Sequence, residues 1–204
     1  MKKITLAMTI VALSACSSPG VKNYHKDDVL STANDTSQPD WADETKPFAI
    51  KDGKVLSVGV AWIRGDEIPA AGARVAANNA RSNIAKAVEN RMEFVFQQGS
   101  ENFLMDSQTA KFIGSEVSRI TSSSMREEST WWARVAQSQE DGSRTIRYKI
   151  FSLVTMPEAD FKVAVQRALD GSNRERRISS EFKTQLSKQW DRFVEGNTDE
   201  KKPE

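Results

Sequence analysis

Residues 54–62, KVLSVGVAW, decide the fold, because they read as a short buried strand that leads into an alanine-rich helix. The run is rich in valine and is bounded by two turn signals, Asp52-Gly53 and Gly65-Asp66. Gly59 in its interior indicates a bulge or the close approach of another backbone. The helix is predicted to begin at about Pro69, since a missing N–H costs nothing in a first turn.

Small and apolar side chains recur at helical spacing through this long helix, which is predicted to end at Gly99. Such a stripe allows a helix to lie close on a sheet. It consists of Ala73, Ala76, Ala77, Ala80, Ile84, Ala87, Val88, Met92, Val95 and Phe96. Residues 102–125 predict a second, weaker helix, for which Gly114 and the serine cluster at 122–124 leave a loop as the alternative.

Two further strands are predicted at 130–137 and 145–156, joined as a hairpin through Asp141-Gly142. A helix is expected at 158–170, ending at Gly171. The predicted fold class is therefore α+β. Its small antiparallel sheet consists of one strand plus the hairpin and is packed by the long helix, with further helices toward the C-terminal end.

Cys16 is the only cysteine, and it closes a short apolar run. Basic Met1-Lys2-Lys3 precedes residues 4–15, twelve residues that are too few for a membrane span of ~20. Leu13-Ser14-Ala15-Cys16 resembles the lipobox of bacterial lipoproteins. The resemblance implies a signal peptide at 1–15, a lipid on Cys16 and, because Ser17 rather than aspartate follows, delivery to the outer membrane. An ordinary secretory signal is the alternative.

The remaining chain divides by composition. Residues 16–45 contain few large apolar side chains, and we therefore expect a lipidated cysteine followed by a flexible tether, with a compact arm lying on the domain as the alternative. Residues 46–170 are predicted to form the α+β domain and 171–196 a charged amphipathic helix. Residues 197–204 are expected to be a disordered tail.

Charge and composition reduce the number of possible functions. The chain has 29 Lys and Arg against 28 Asp and Glu, which argues against a nucleic-acid partner. His25, the only histidine, precedes the predicted domain, so a His-based catalytic triad or metal site in that domain is excluded. The carboxylate pairs Glu127-Glu128 and Glu140-Asp141 are interpreted as solvated loop charges. We expect no catalytic residue, cofactor or metal.

Six aromatic and apolar residues are candidates for contact with a protein partner. Trp131 and Trp132 should point to opposite faces of their strand, so one is core and the other is covered by a helix or offered to a partner. A second stripe could pack on the domain or dock a partner helix or a second copy. It consists of Phe182, Leu186, Trp190 and Phe193.

The order of elements resembles the small bacterial lipoproteins of the Lpp-twenty type, relatives of the flagellar outer-membrane protein FlgP and of part of FlgT. Four features carry the resemblance: the lipobox, Pro39-Asp40-Trp41, the Val-Gly-Val strand at 58–60 with its alanine-rich helix, and the aromatic strand 148–154 before Pro157. The Trp131-Trp132 pair and the segment after Gly171 have no counterpart that we can place in that family.

The resemblance implies a lipid-anchored, non-catalytic structural or interaction module of the bacterial envelope, around the flagellar motor in some relatives. Either face of the outer membrane is compatible with it, and the expected partner is another protein or a second copy. Two alternatives remain: a periplasmic regulator that reaches a cell-wall synthase through a long tether, and an enzyme that uses carboxylates.

Overall fold

The computed structural model describes residues 28–99, 107–139, 143–174, 178–188 and 193, with the backbone alone for 94–99, 107, 182 and 185–187. The predictions for the signal peptide, Cys16, Glu140-Asp141 and the C-terminal tail lie outside these residues.

After the first strand and a 3-10 turn, pairs of strands alternate with pairs of helices in one α+β arrangement. The elements are β1 (Asp28–Thr32), a 3-10 turn (Ala33–Asp35), β2 (Phe48–Lys51), β3 (Lys54–Arg64), α1 (Pro69–Gly99), α2 (Ser107–Thr121), β4 (Arg126–Ser138), β5 (Arg144–Pro157), α3 (Glu158–Arg174) and α4 (Ser180–Lys188).

The sheet is antiparallel and has five strands, in the order β1-β4-β5-β3-β2. The predicted α+β class, the strand at 54–62 and the hairpin are confirmed. The sheet is larger than the three predicted strands, because β1 and β2 add one strand at each edge. Asp52 and Gly53, at φ 53° and 71°, join β2 to β3 as the two-residue turn that a hairpin favours.

The tether prediction is wrong for residues 28–45, which lie on the domain. β1 pairs with β4, and residues 33–47 then cross the face of the sheet opposite the helices. We call residues 28–47 the arm, this face the arm side, and the other face the helix side. Ala42 is fully buried there and Trp41 packs beside it, because these few apolar side chains cover a sheet face that would otherwise be wet.

Helix α1 packs directly on β3, as its stripe predicts. Six of the predicted stripe residues are buried: Ala76, Ala77, Ala80, Ile84, Val88 and Met92. Gly59 permits the contact, since a Cβ there would lie 1.9 Å from the carbonyl oxygen of Ala76. Ser57 Oγ also donates to the Ala80 carbonyl oxygen at 2.7 Å. The close approach predicted at Gly59 is therefore confirmed.

The other helices complete the helix side. α2 is a helix rather than a loop, and Gly114 is where it touches α1, because a Cβ there would lie 2.5 Å from the Ala85 carbonyl oxygen. The predicted end of α3 at Gly171 is wrong: the helix continues to Arg174. A single glycine costs a helix only about 1 kcal/mol, and the burial of Leu169 and Ser172 on either side favours continuation.

The C-terminal segment returns to this core. Phe193 is fully buried, and its ring stacks on Phe161 at a centroid distance of 6.4 Å. Phe161 in turn contacts Phe48 of β2 at 6.0 Å. Arg91 of α1 lies 4.7 Å above the Phe48 ring and donates to the Phe193 carbonyl oxygen at 2.8 Å. Burial lowers the pKa of Arg91 to about 10.

Candidate functional site

Trp131 lies on the arm side and is a core residue. Its ring packs on Phe151 at 5.8 Å, and only 5% of the residue is exposed. Its indole Nε1 is buried without a hydrogen-bond partner among the described residues. The arm covers this tryptophan, so it is available to a partner only where the arm is displaced.

Trp132 lies on the helix side and is half-buried. Its ring meets Tyr148 edge-on at 5.3 Å, and it packs against the buried cluster of Ala61, Ala76 and Ile150. The Arg134 guanidinium lies 5.9 Å from the centre of the Tyr148 ring. We call Trp132, Arg134 and Tyr148 the Trp132 cluster.

The Trp132 cluster occupies a sheet surface that the helices leave largely open. Among the described helices, α1 alone makes more than slight contact with β4. None of them makes more than slight contact with β1. The register places Trp132 beside Ile150 and Arg134 beside Tyr148. The expected burial of one tryptophan in the core is thus confirmed, and the other lies at the flank of α1, partly accessible.

Arg134 and Tyr148 were not predicted from the sequence as members of this surface. The hairpin supplied part of the signal, because residues at equal distances from a turn lie opposite each other in an antiparallel pair. Counting outward from Asp141-Gly142 pairs position 132 with 151 and position 134 with 149, which is one residue away from the register found, where 132 pairs with 150 and 134 with 148.

The structure describes the side chain of only one residue of the second predicted stripe. Phe193 packs inside the domain, which favours the core interpretation for that residue. The side chains of Phe182 and Leu186 and the whole of Trp190 lie outside the described residues. The structure therefore brings Trp132 together with Arg134 and Tyr148, and it places Phe193 apart from them in the core.

One end of the sheet holds the β4–β5 turn, the start of β1 and the end of β3, and we call it the turn end. Three of its cations are ion-paired, Arg64 with Asp66, Arg144 with Asp28 and Lys149 with Glu44 of the arm. Lys149 Nζ also lies 5.3 Å from the centre of the Trp62 ring. Arg147 lies over the same ring at 5.8 Å.

The opposite end carries an open bowl of about 930 Å³ between the β2–β3 turn, the α2–β4 loop and the start of α3. Its two adjacent glutamates are held by local hydrogen bonds. Glu127 accepts from the Thr130 hydroxyl at 2.7 Å, and Glu128 accepts from Thr155 Oγ1 at 2.8 Å. Both glutamates are exposed. Within the described residues, no group of three or more His, Cys, Asp or Glu is placed to hold a metal ion.

Two carboxylates have perturbed acidities. Hydrogen bonds from the Arg119 guanidinium lower the pKa of Glu116 on α2, and its charge adds to the effect. Hydrogen bonds from the Thr45 hydroxyl and backbone N–H lower the pKa of Asp43 in the arm. Both effects stabilise the local turn or helix, and neither carboxylate belongs to the Trp132 cluster.

None of the described helices combines the length with the apolar run needed to cross a bilayer. The chain matches no protein-family model, and comparison with curated proteins and with solved structures gives no match. The family resemblance in the sequence is therefore carried forward as a proposal.

Proposed function

We propose that the chain is an outer-membrane lipoprotein whose folded domain acts as a non-catalytic structural or interaction module of the bacterial envelope. The observation that carries the proposal is Leu13-Ser14-Ala15-Cys16, which puts the only thiol of the chain at the end of a signal-like apolar run. One acyl chain gives only marginal membrane binding, and stable anchoring needs more than one. The lipobox resemblance implies a diacylglycerol and an amide-linked chain on Cys16, which meet that need.

The Trp132 cluster supports an interaction role for the domain. Trp, Tyr and Arg are the residue types enriched at the energetic centres of protein interfaces. Here Trp132 and Arg134 both contact Tyr148 on a sheet surface that the described helices leave accessible. The envelope setting, including a flagellar role, comes from the Lpp-twenty resemblance.

Cys16→Ala tests the anchor. We expect the variant to leave the membrane fraction and the wild-type chain to stay in it, measured by fractionation of cell envelopes together with mass spectrometry of the amino terminus. Ser18→Ala, which keeps the cysteine, is the matched control and should remain bound. Ser17→Asp should keep the lipid but move the protein to the inner membrane. An unmodified Cys16 thiol in the wild-type protein would refute the anchor.

Site-specific photo-crosslinking tests the contact. A photoreactive residue at position 132 should give a defined crosslink to an envelope protein or to a second copy, and Arg134→Ala should abolish it. A probe at Val163, which is exposed on α3 away from the cluster, is the control. Identification of a flagellar component would specify the role, whereas a cell-wall synthase would replace the structural role by the regulatory one. Equal labelling from both positions would contradict the proposal.

A further inference from the structure

We propose that the partner bound at the Trp132 cluster is an acidic amphipathic helix, which packs beside α1 on the helix side of the sheet. This inference rests on the proposed interaction role and names the chemistry of the partner. Three observations carry it: the width of the sheet surface beside α1, the apolar side chains on that surface, and an arginine without a carboxylate partner.

The strand register shows which side chains share this surface. Ser31, Arg134 and Tyr148 lie side by side on β1, β4 and β5. Two residues further along β4, Ala136 lies opposite Ile146. Directly paired residues point to the same face of a sheet, so these side chains lie on the helix side with Trp132. We call this set the open surface, and it consists of Ser31, Trp132, Arg134, Ala136, Ile146 and Tyr148.

The open surface has the width of one helix. α1 packs mainly on β3 and β5, so β4 and β1 are the next two strands beyond it. Neighbouring strands lie about 4.8 Å apart, and two strands therefore span about 10 Å. This is the diameter of a helix and also the usual distance between the axes of two packed helices. A helix lying on β4 and β1 would thus contact the sheet and the side of α1 at once.

The apolar side chains of the open surface suit the stripe of an amphipathic helix. Trp132 and Tyr148 are half-buried, and their rings meet at 5.3 Å. Ile146 continues the apolar area and is 41% exposed. Positions 132 to 136 cover about 14 Å of strand, which is the length of about three helical turns. An apolar stripe at i, i+3, i+4 and i+7 of a partner helix fits an area of this length.

Arg134 gives the open surface a positive charge. Within the part of the chain that the structure describes, this arginine forms no ion pair, and its buried Nε atom has no hydrogen-bond partner. Its guanidinium lies 5.9 Å from the centre of the Tyr148 ring instead. A partly buried charge without a partner is costly, and an arginine binds a carboxylate through charge-assisted hydrogen bonds. An Asp or Glu beside the apolar stripe of the partner would supply that carboxylate.

Two carboxylates border the open surface and have other partners. Asp28, on the same face of β1, is ion-paired with Arg144. Glu127 accepts a hydrogen bond from the Thr130 hydroxyl at 2.7 Å. Thr130 lies about 14 Å from Arg134 along β4. Because Glu127 repels an acidic residue at its own end of the surface, the carboxylate of the partner is expected at the Arg134 end of the stripe.

Peptide display tests the class of partner. A library of random peptides, each about three to four helical turns long, is selected on the purified chain and depleted on its Trp132→Ala variant. We expect the enriched peptides to repeat apolar residues at helical spacing, to carry an Asp or Glu near one end of the stripe, and to become helical on binding, measured by circular dichroism. Arg134→Gln should weaken the binding of the best peptide by about tenfold or more, because the hydrogen bonds to a charged group are lost.

Matched variants locate the contact. Replacing the carboxylate of the peptide by its amide should cause the same loss of affinity as Arg134→Gln, and the two changes together should cause no further loss. Ile146→Glu places a negative charge at an exposed position of the open surface, so it should weaken binding and leave the fold intact. Arg167→Gln removes an exposed arginine of α3 and should leave the affinity unchanged.

The outcomes separate the helix from the interaction role. The acidic helix is overturned if no peptide is enriched, if the enriched peptides bind as extended strands, or if the Arg134→Gln variant binds them equally well. A defined crosslink from position 132 in any of these cases leaves the interaction role intact. Loss of both the enrichment and the crosslink refutes the interaction role together with the helix.

Discussion

At the scale of single residues, two glycines set the distance between layers. At Gly59 α1 lies directly on β3, and at Gly114 α2 lies directly on α1, so that in both places a neighbouring backbone occupies the space of a side chain. The isolated glycine in a strand pattern predicted the first contact. The second was not predicted, because glycine inside a helical pattern indicates only reduced helix propensity until the neighbouring helix is known.

We predict that Gly59→Ala lowers the free energy of unfolding by at least about 3 kcal/mol, since the added methyl meets backbone atoms that cannot move aside. Gly171→Ala is the matched control. A Cβ at Gly171 has no atom within 4 Å, and the helix continues through this residue. This variant should gain about 0.5–1 kcal/mol. Urea denaturation measures both, and equal effects at the two positions would refute the packing argument.

At the scale of elements, the strand edges are protected in different ways. β1 and β4 each contain a bulge, between Val29 and Ser31 and between Glu127 and Ser129. The outer edge of β3 beyond β2 is covered by α1. Asn79 Nδ2 donates to the Val60 carbonyl oxygen at 2.7 Å, and Asn83 Nδ2 donates to that of Val58 at 2.8 Å. Two helix side chains thus occupy positions where another strand would bind.

We predict that the double variant Asn79→Ala with Asn83→Ala lowers the free energy of unfolding by about 2 kcal/mol, because each lost hydrogen bond contributes about 1 kcal/mol. The freed strand edge should also promote association between molecules. Asn90→Ala on the same helix is exposed and serves as the control for the helix propensity gained with alanine. Denaturation and multi-angle light scattering report the two effects. A double variant as stable and as monodisperse as Asn90→Ala would contradict the role of the amides.

The long and periodic elements could be predicted from the sequence, whereas the short ones were not. α1, β3 and the β4–β5 hairpin are long and regular, so hydrophobic spacing located them. β1 and β2 have five and four residues, and β1 lies in a polar segment whose apolar residues are too sparse to show a period. Asp52-Gly53 indicates the boundary of β3, and the same pair between two apolar runs is also a hairpin signal that predicts β2. The Trp132 cluster required the strand register, which hydrophobic spacing does not supply.

At the scale of the whole molecule, one aromatic series connects the beginning, middle and end of the domain. Phe48 of β2, Phe161 of α3 and Phe193 form successive ring contacts, and Arg91 of α1 closes the series at both ends. Residues far apart in sequence therefore depend on one cluster. The charged C-terminal segment is held to the domain through this apolar contact.

We predict that Phe193→Ala destabilises the whole domain by about 3–5 kcal/mol, the usual cost of removing a buried phenylalanine. Phe193→Leu preserves most of the volume and should cost less than about 1.5 kcal/mol. Unfolding followed by circular dichroism should remain a single transition in both variants. A change confined to the C-terminal segment, with the unfolding midpoint of the sheet unchanged, would show that the segment is an independent appendage.

The edge position of β1 also decides how the domain responds to mechanical load. Any tension on the N-terminal segment enters the fold at Asp28, the residue of β1 nearest the hairpin turn. A pull directed outward past that turn, along the line of β1, strains its ladder bonds together, in shear. A sideways pull would instead part them one after another, as in unzipping. The domain should therefore resist stretching along β1 better than it resists lateral drag.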